Sequence, residues 1–307
     1  MTAPTRCFKA SFLHPRYWLT WFGLGVLFLL VQLPYPVMYR LGVWLGRTSM
    51  RFLKRRVSIT RRNLQLCFPD MDSAVLERKI VSNFESLGMG LLETGMAWFW
   101  SDARVRRWFD VSGLQYLKLA QQNQQGVLVI GVHFMSLELG GRAMGLCQPM
   151  MAMYRPHNNK AMEFVQTWGR MRSNKAMLDR KDLRGMVHAL KRGEAVWFAP
   201  DQDYGPRGSV FAPLFAVPQA ATTSGTFMLA RLAKPALVSV VLVRKDKAAG
   251  YDLVIQPALR DYPIDDELAA AAYMNRVVEK EIMRAPEQYL WLHRRFKTRP
   301  EGAPSLY

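Results

Sequence analysis

Residues 127–142 read VLVIGVHFMSLELGGR, and the change of pattern inside them sets the fold. Val127 to Val132 is an apolar, largely β-branched run suited to a strand buried on both faces. From Leu137 to Leu146 the apolar positions recur at helical spacing. The same alternation continues downstream. Ala195–Ala199, Ala236–Val243 and Asp252–Gln256 read as further strands, and Lys160–Met171, Leu183–Lys191, Ser224–Ala233 and Leu268–Ala285 as amphipathic helices. This predicts an α/β fold, with helices packed on a central sheet. In such sheets a site forms where loops leave the carboxyl ends of the strands. No internal repeat, low-complexity tract or clean linker interrupts the pattern, so 41–307 reads as one domain behind an N-terminal segment, 1–40.

His133 stands where the first strand ends, and Glu138 follows five residues later. On one continuous helix that interval separates side chains by about 140°, so the two could not cooperate there. A strand-to-helix turn removes the difficulty. With Ser136 as N-cap, His133 lies in the turn and Glu138 in the first helical turn, where both can face the strand end. A carboxylate on one imidazole nitrogen sets the tautomer and raises the basicity of the other, as a general base for a hydroxyl requires. His133 and Glu138 are therefore the expected catalytic pair. Tyr154-Arg155-Pro156 and Gly169-Arg170-Met171-Arg172-Ser173 supply guanidinium groups suited to a phosphate or a developing oxyanion, which makes Arg155, Arg170 and Arg172 candidates for binding substrate or stabilising the reaction. Asp201 follows the second strand directly, where it could hold an arginine or the base. There is no G-x-S-x-G elbow for a covalent nucleophile. Cys7, Cys67 and Cys147 have no C-x-x-C spacing and support neither a disulfide framework nor a zinc site, which fits a reducing compartment.

Upstream, 41–125 reads as mostly helical. Val75, Leu76, Ile80, Phe84, Leu87 and Leu91 mark one amphipathic helix from Ser73 to Leu92, with Asp72 or Ser73 as its cap. The aromatic cluster Trp98, Phe99, Trp100, Trp108 and Phe109 is expected to be mostly core. Tyr17 to Tyr39, YWLTWFGLGVLFLLVQLPYPVMY, carries no charge and is bounded by Arg16 and Arg40. A bilayer-crossing helix needs about 20 apolar residues, and aromatic residues at both ends suit the headgroup region. A transmembrane helix or a monotopic hairpin broken at Pro34 and Pro36 is expected. The flanks are Arg6, Lys9 and Arg16 before it, and Arg47, Arg51, Lys54, Arg55, Arg56, Arg61 and Arg62 after it, which places the body on the cytoplasmic side.

Across all 307 residues, 42 Lys and Arg against 24 Asp and Glu leave a formal charge of +18. Half the residues are hydrophobic, which excludes a disordered basic tail and collagen-like structure. The charge calls for a polyanionic partner: nucleic acid, an anionic membrane, an acidic protein or a phosphorylated substrate. Nucleic acid is the weakest of these, because the aromatics lie in apolar blocks such as MAWFW and are not interleaved with basic clusters as stacking platforms.

The strings HPRYWLTW, VQLPYP, LGMGLLETGMAWFW, GVHFMSLELGGR, RMRSNKAM, WFAPDQDYGP, FAPLFAV and PEQYLWLHRRFKTRPEG resemble the late acyltransferases of lipid A biosynthesis from end to end. FDVSGL, GLCQPMMAMYRPHNN and KEIMRAPEQYL are similar to the palmitoleoyl-transferring members more than to the lauroyl-transferring ones. The resemblance implies an αβα core similar to glycerol-phosphate-type acyltransferases. It implies an inner-membrane enzyme facing the cytoplasm that moves a fatty acyl group from acyl carrier protein to the hydroxyl of a 3-hydroxyacyl chain on Kdo2-lipid IVA, with no cofactor and no metal. In that scheme His133 and Glu138 form the H-x-x-x-x-E dyad, and Arg170 and Asp201 are further functional positions. Alternatives on the same dyad are a lauroyl-specific enzyme and a lysophospholipid or glycerol-phosphate acyltransferase. Met135, Met144, Met150, Met151 and Met153 are soft apolar candidates for the wall of an acyl tunnel.

Overall fold

The computed structural model describes residues 7–122 and 125–307. Arg6 of the upstream basic flank lies outside them. The chain begins with a helical region: α1 (Trp18–Leu30), α2 (Tyr35–Ser49), α3 (Lys54–Cys67), α4 (Ser73–Phe99) and α5 (Asp102–Arg106). Then come β1 (Phe109–Ser112), α6 (Leu114–Gln122), β2 (Val127–Ile130), α7 (Leu137–Cys147), β3 (Met151–Tyr154), α8 (Lys160–Met171), β4 (Ala176–Asp179), α9 (Leu183–Lys191) and β5 (Ala195–Phe198). A hairpin, β6 (Ser209–Leu214) and β7 (Val217–Thr223), precedes α10 (Gly225–Ala233), β8 (Ala236–Arg244), β9 (Tyr251–Ile255) and α11 (Glu267–Ile282).

Seven strands form one mixed sheet in the order β1-β9-β8-β2-β5-β3-β4. β8, β2, β5, β3 and β4 run parallel, and the β8–β9 contact is antiparallel. Alternate residues of β2 serve opposite faces. Val127 and Val129 pack with residues of α4, α7 and α8, whereas Leu128 and Ile130 pack with residues of α9, α10 and α11. Burial on both sides is why β2 shows no polar alternation in sequence. The result is the expected αβα layering. Asp72 caps α4 by accepting from the N–H groups of Ala74 and Val75. Trp98 and Trp100 are buried, and Phe99, Trp108 and Phe109 pack against the same core, as expected of that cluster.

Of the two forms expected for the N-terminal segment, one spanning helix or a chain broken at Pro34 and Pro36, the structure shows the break. Tyr17–Tyr39 is not one helix: α1 ends at Leu30, and α2 begins at Tyr35 with Pro36 in its first turn. Pro34 and Pro36 cannot donate in a helix interior, so the apolar run breaks where they stand. The 13 residues of α1 rise about 20 Å, short of the roughly 30 Å of hydrocarbon in a bilayer. No helix among the described residues is long and apolar enough to cross a membrane. Leu24, Leu27, Val31, Tyr35 and Met38 are buried in the same core as β2 and α7, and residue 40 falls inside α2. α2 meets α4 closely enough that a β carbon on Gly88 would lie 2.0 Å from the Gly42 carbonyl oxygen. The other face of α1 is open: Trp18, Leu19, Phe22 and Leu29 are 64, 82, 70 and 67 % exposed.

Candidate active site

β2 and β5 are parallel neighbours with Ile130 opposite Phe198. His133 and Asp201 are each the third residue beyond those positions, so matched register brings two sequence-distant side chains together. Asp201 Oδ1 lies 2.7 Å from His133 Nδ1, and Oδ2 accepts the His133 backbone N–H at 3.0 Å. A carboxylate offers no proton, so Nδ1 carries it, and Nε2 of the neutral ring is left with the lone pair. Burial acts to raise the Asp201 carboxyl, but the His133 ring and the hydrogen bonds from His133 outweigh it and hold the group below the usual carboxylate range. Asp201 is fully buried, whereas the His133 side chain keeps 19 % of its surface. Gly131 admits the neighbouring indole, since a β carbon there would meet Trp197 Nε1 at 2.4 Å.

Glu138 does not pair with His133. It lies in the first turn of α7, as expected, but faces α8, where Arg170 Nε donates to its Oε2 at 3.1 Å and Arg170 Nη2 to its Oε1. Trp98 Nε1 and Gln166 Nε2 also donate to this carboxylate, at 3.3 and 3.5 Å. Burial raises the Glu138 carboxyl, and the Arg170 charge with these hydrogen bonds more than reverses it. The expected His133–Glu138 dyad is thus two pairs, His133–Asp201 and Arg170–Glu138. The physical reason is the turn itself. Ser136 precedes α7 without a side-chain cap, its hydroxyl donating instead to the Leu242 carbonyl at 3.3 Å, and α7 leaves with Glu138 toward α8.

Two cavities meet at these pairs. One of about 540 Å³ is lined by His133, Arg155, Arg170, Arg180, Tyr204 and Lys297 among others. The other, about 70 Å³, is apolar and enclosed by Trp98, Leu137, Gly141, Met150, Met153 and Trp197, with Glu138 and Arg170 at its side. Leu137, Met153, Arg170 and Trp197 line both. Of the five methionines expected in a tunnel wall, Met150 and Met153 line this apolar cavity. Arg155 reaches the polar cavity, but Arg172 does not. Its Nη1 donates to the Trp98 carbonyl at 2.5 Å, and its guanidinium lies 5.4 Å from the Trp168 ring centroid.

The C-terminal segment holds the site in place, which sequence reasoning did not foresee. The N–H of Leu290 donates to the His133 carbonyl at 2.9 Å, the N–H of Met135 to the Gln288 carbonyl at 2.8 Å, and Tyr289 Oη to the Asp201 carbonyl at 3.2 Å. Asp203 accepts from Thr298 N–H and Oγ1, each at 2.8 Å. His293 also lines the polar cavity, and burial followed by the charge of Lys297 keeps its ring below the usual histidine range. The signal was the unbroken string PEQYLWLHRRFKTRPEG, too polar in parts for a core segment yet tied at its start to both loops of the site.

Residues 6–298 match a family model described as bacterial lipid A biosynthesis acyltransferase. The lipid A biosynthesis palmitoleoyltransferase of Escherichia coli (strain K12) is 66 % identical over 300 residues, covering 98 % of each chain. The lipid A biosynthesis lauroyltransferase of the same organism is 59 % identical with the same coverage. Among solved structures, the 1-acyl-sn-glycerophosphate acyltransferase PlsC of Thermotoga maritima aligns over 76 % of this chain and 97 % of its own, at 15 % identity and a TM-score of 0.37.

Proposed function

This chain belongs to the bacterial lipid A biosynthesis acyltransferase family and is an acyltransferase; from that premise we propose that it moves a palmitoleoyl group from acyl carrier protein to a hydroxyl on a 3-hydroxyacyl chain of Kdo2-lipid IVA. The observation that carries the mechanism is His133, its Nδ1 fixed on Asp201, facing a polar cavity that adjoins an apolar one. His133 Nε2 takes the proton of the acceptor hydroxyl as its oxygen attacks the thioester carbonyl. The C–O bond forms, the tetrahedral intermediate collapses with cleavage of the C–S bond, and the imidazolium returns the proton to the leaving thiolate. Arg170, steadied by Glu138 at the junction of the cavities, is positioned to bind the developing oxyanion. No Ser, Thr or Cys lines the polar cavity among the described residues, which favours direct transfer over a covalent acyl-enzyme and needs no cofactor.

The greater identity to the palmitoleoyl-transferring relative favours that acyl group over lauroyl. The apolar cavity, about 70 Å³, has room for the few methylenes of the donor chain nearest the thioester. Membrane attachment is read as monotopic on the cytoplasmic side: the open apolar face of α1 sinks into the interface, while the exposed Arg51, Lys54 and Arg55 meet anionic headgroups. The deciding experiment is mass spectrometry of the product from Kdo2-lipid IVA with a mixed pool of acyl carrier protein donors. A dominant mass gain of one palmitoleoyl group supports the reading, and a dominant lauroyl gain overturns its specificity.

A further inference from the structure

Arg155 and Arg180 leave the sheet side by side. β3 and β4 are parallel neighbours with Tyr154 opposite Asp179, and the Arg180 N–H donates to the Tyr154 carbonyl at 2.9 Å. Each arginine is therefore the first residue past the end of its strand. Adjacent strands lie about 4.8 Å apart, so the two side chains start close enough to reach one tetrahedral anion. Both line the polar cavity of His133, together with Lys297 from the C-terminal segment.

These three cations differ from the other basic residues around the site. Arg170, Arg142 and Arg244 each pair with an acid, and Arg172 is engaged by Trp98 and Trp168. None of Arg155, Arg180 and Lys297 has a carboxylate within ion-pair distance among the described residues. The loop that carries Arg155 is braced. The His157 N–H donates to buried Glu163 at 2.6 Å, Asn159 caps α8, and its Nδ2 donates to Thr20 Oγ1 of α1 at 2.8 Å. Three unpaired cations on ordered backbone at the rim of a catalytic cavity are an anion site.

We infer that Arg155 and Arg180, with Lys297, bind a phosphate monoester on the sugar head of the acceptor lipid while its acyl-chain hydroxyl lies at His133. The inference rests on the acyl-transfer reading of the cavity. Two guanidinium forks and an ammonium suit a dianion with three free oxygens better than a single carboxylate. The strand order also fixes which substrate brings the phosphate. Counting from β2, Arg155 stands two strand spacings away and Arg180 three, or about 10 and 14 Å. A sugar phosphate and an acyl hydroxyl of one glycolipid span such a distance. The phosphate of the donor's prosthetic arm is a long flexible chain away from its thioester and stays with the carrier protein.

The test uses the full-length protein in detergent micelles and two readouts. In the first, Arg155→Gln, Arg180→Gln and Lys297→Gln are assayed with Kdo2-lipid IVA and with the same acceptor after phosphatase treatment. Each arginine variant is expected to raise KM for the phosphorylated acceptor about tenfold or more, the size of one charge-assisted contact, and to change KM for the dephosphorylated acceptor less than twofold. An equal loss on both acceptors, or a rise in KM for the acyl donor in its place, overturns the assignment. In the second, equilibrium dialysis measures glucosamine 1-phosphate against glucosamine. Phosphate-dependent retention should persist in His133→Ala and fall at least tenfold in Arg155→Gln/Arg180→Gln. Retention that depends on the two arginines in a chain found to acylate another acceptor would reject the reaction and keep the anion site. Retention unaffected by the double variant rejects the site.

Discussion

His133–Asp201 and Arg170–Glu138 lie at the same end of the sheet, and each sets one carboxylate against one nitrogen base. They differ in what they can release. Arginine keeps its proton at every accessible pH, so Arg170 and Glu138 form a fixed dipole. An imidazole can take up a proton on one nitrogen and give it back, so Asp201 holds a group able to act as base and then acid. Sequence spacing joined His133 to Glu138; strand register joins it to Asp201 and leaves Glu138 to the fixed pair. In the proposed mechanism proton transfer and charge placement fall to separate pairs, and each can be removed without directly removing the other.

The largest effect is expected at the exchanging pair. His133→Ala should lower kcat/KM about 10³-fold, within the range for a lost general base, and should also lower the melting temperature, because the fully buried Asp201 carboxylate loses its ring partner. Asp201→Asn should lose at least about 10²-fold, since an amide can donate to Nδ1 and so place the lone pair on the wrong nitrogen. Steady-state acyl transfer with purified protein measures both. Near-normal rates in either variant would show that the exchanging pair is not the catalytic one.

The fixed pair is expected to show itself in stability. Glu138→Gln strands the Arg170 charge in a partly buried setting and should cost about 2 kcal/mol, below the 3–5 kcal/mol of a fully sealed pair. A double-mutant cycle in denaturant melts sharpens the contrast. Glu138 and Arg170 should couple by 1 kcal/mol or more, whereas Glu138 and His133 should be additive within about 0.5 kcal/mol. Coupling between Glu138 and His133 would restore the pairing that sequence spacing implies.

How the pairs were misjoined shows what this sequence can and cannot disclose. β2, β5, α8 and α9 were legible almost to the residue, because burial on both faces leaves an apolar run and amphipathic helices leave a period. β3, β4 and β1 were not. β3 is a half-buried methionine-rich segment, β4 is four residues long, and β1 is an edge strand with three of its four residues exposed. The hairpin β6–β7 hid behind Pro213, Pro218 and small residues. His133, Glu138, Arg170 and Asp201 were all singled out as candidates, and the structure arranges them as two pairs, yet partnership depends on strand order, and order is not written in the period of any one segment. Arg180, which lines the same cavity as His133, was not singled out, for the same reason. Nothing local distinguishes Arg180 from a solvated turn residue until β4 is known to lie beside β3.

Acid titration gives a smaller and more graded contrast. Both carboxyls are held below the ordinary value of about 4, Asp201 by His133 and Glu138 by Arg170, each against the opposing effect of burial. A carboxyl whose folded pKa is depressed contributes stability in full above its unfolded pKa, and that contribution fades as pH falls through the folded value. The stability gap between wild type and Asp201→Asn or Glu138→Gln should therefore be level from pH 7 to about 5 and narrow below about 4. Thermal melts across that range measure it. A gap that stays constant to pH 3 would mean that neither carboxylate is stabilised by its partner.

The smallest effect is expected beside the fixed pair, in the apolar cavity. Gly141 lies in α7, and a β carbon added there would meet nothing within 4 Å. Gly141→Ala should thus introduce no clash and gain up to about 1 kcal/mol from helix propensity, while its methyl takes room from the cavity that Gly141 lines. If that cavity measures the donor chain, the product mixture from pooled donors should shift toward shorter acyl groups with kcat/KM for the shortest nearly unchanged, because His133 lines the polar cavity and not this one. A uniform fall in rate for all chain lengths would mean that the methyl disturbs Glu138 and Arg170 and leaves chain selection alone. Chain measurement would then have to be sought elsewhere, and the apolar cavity would belong to the fixed pair as packing.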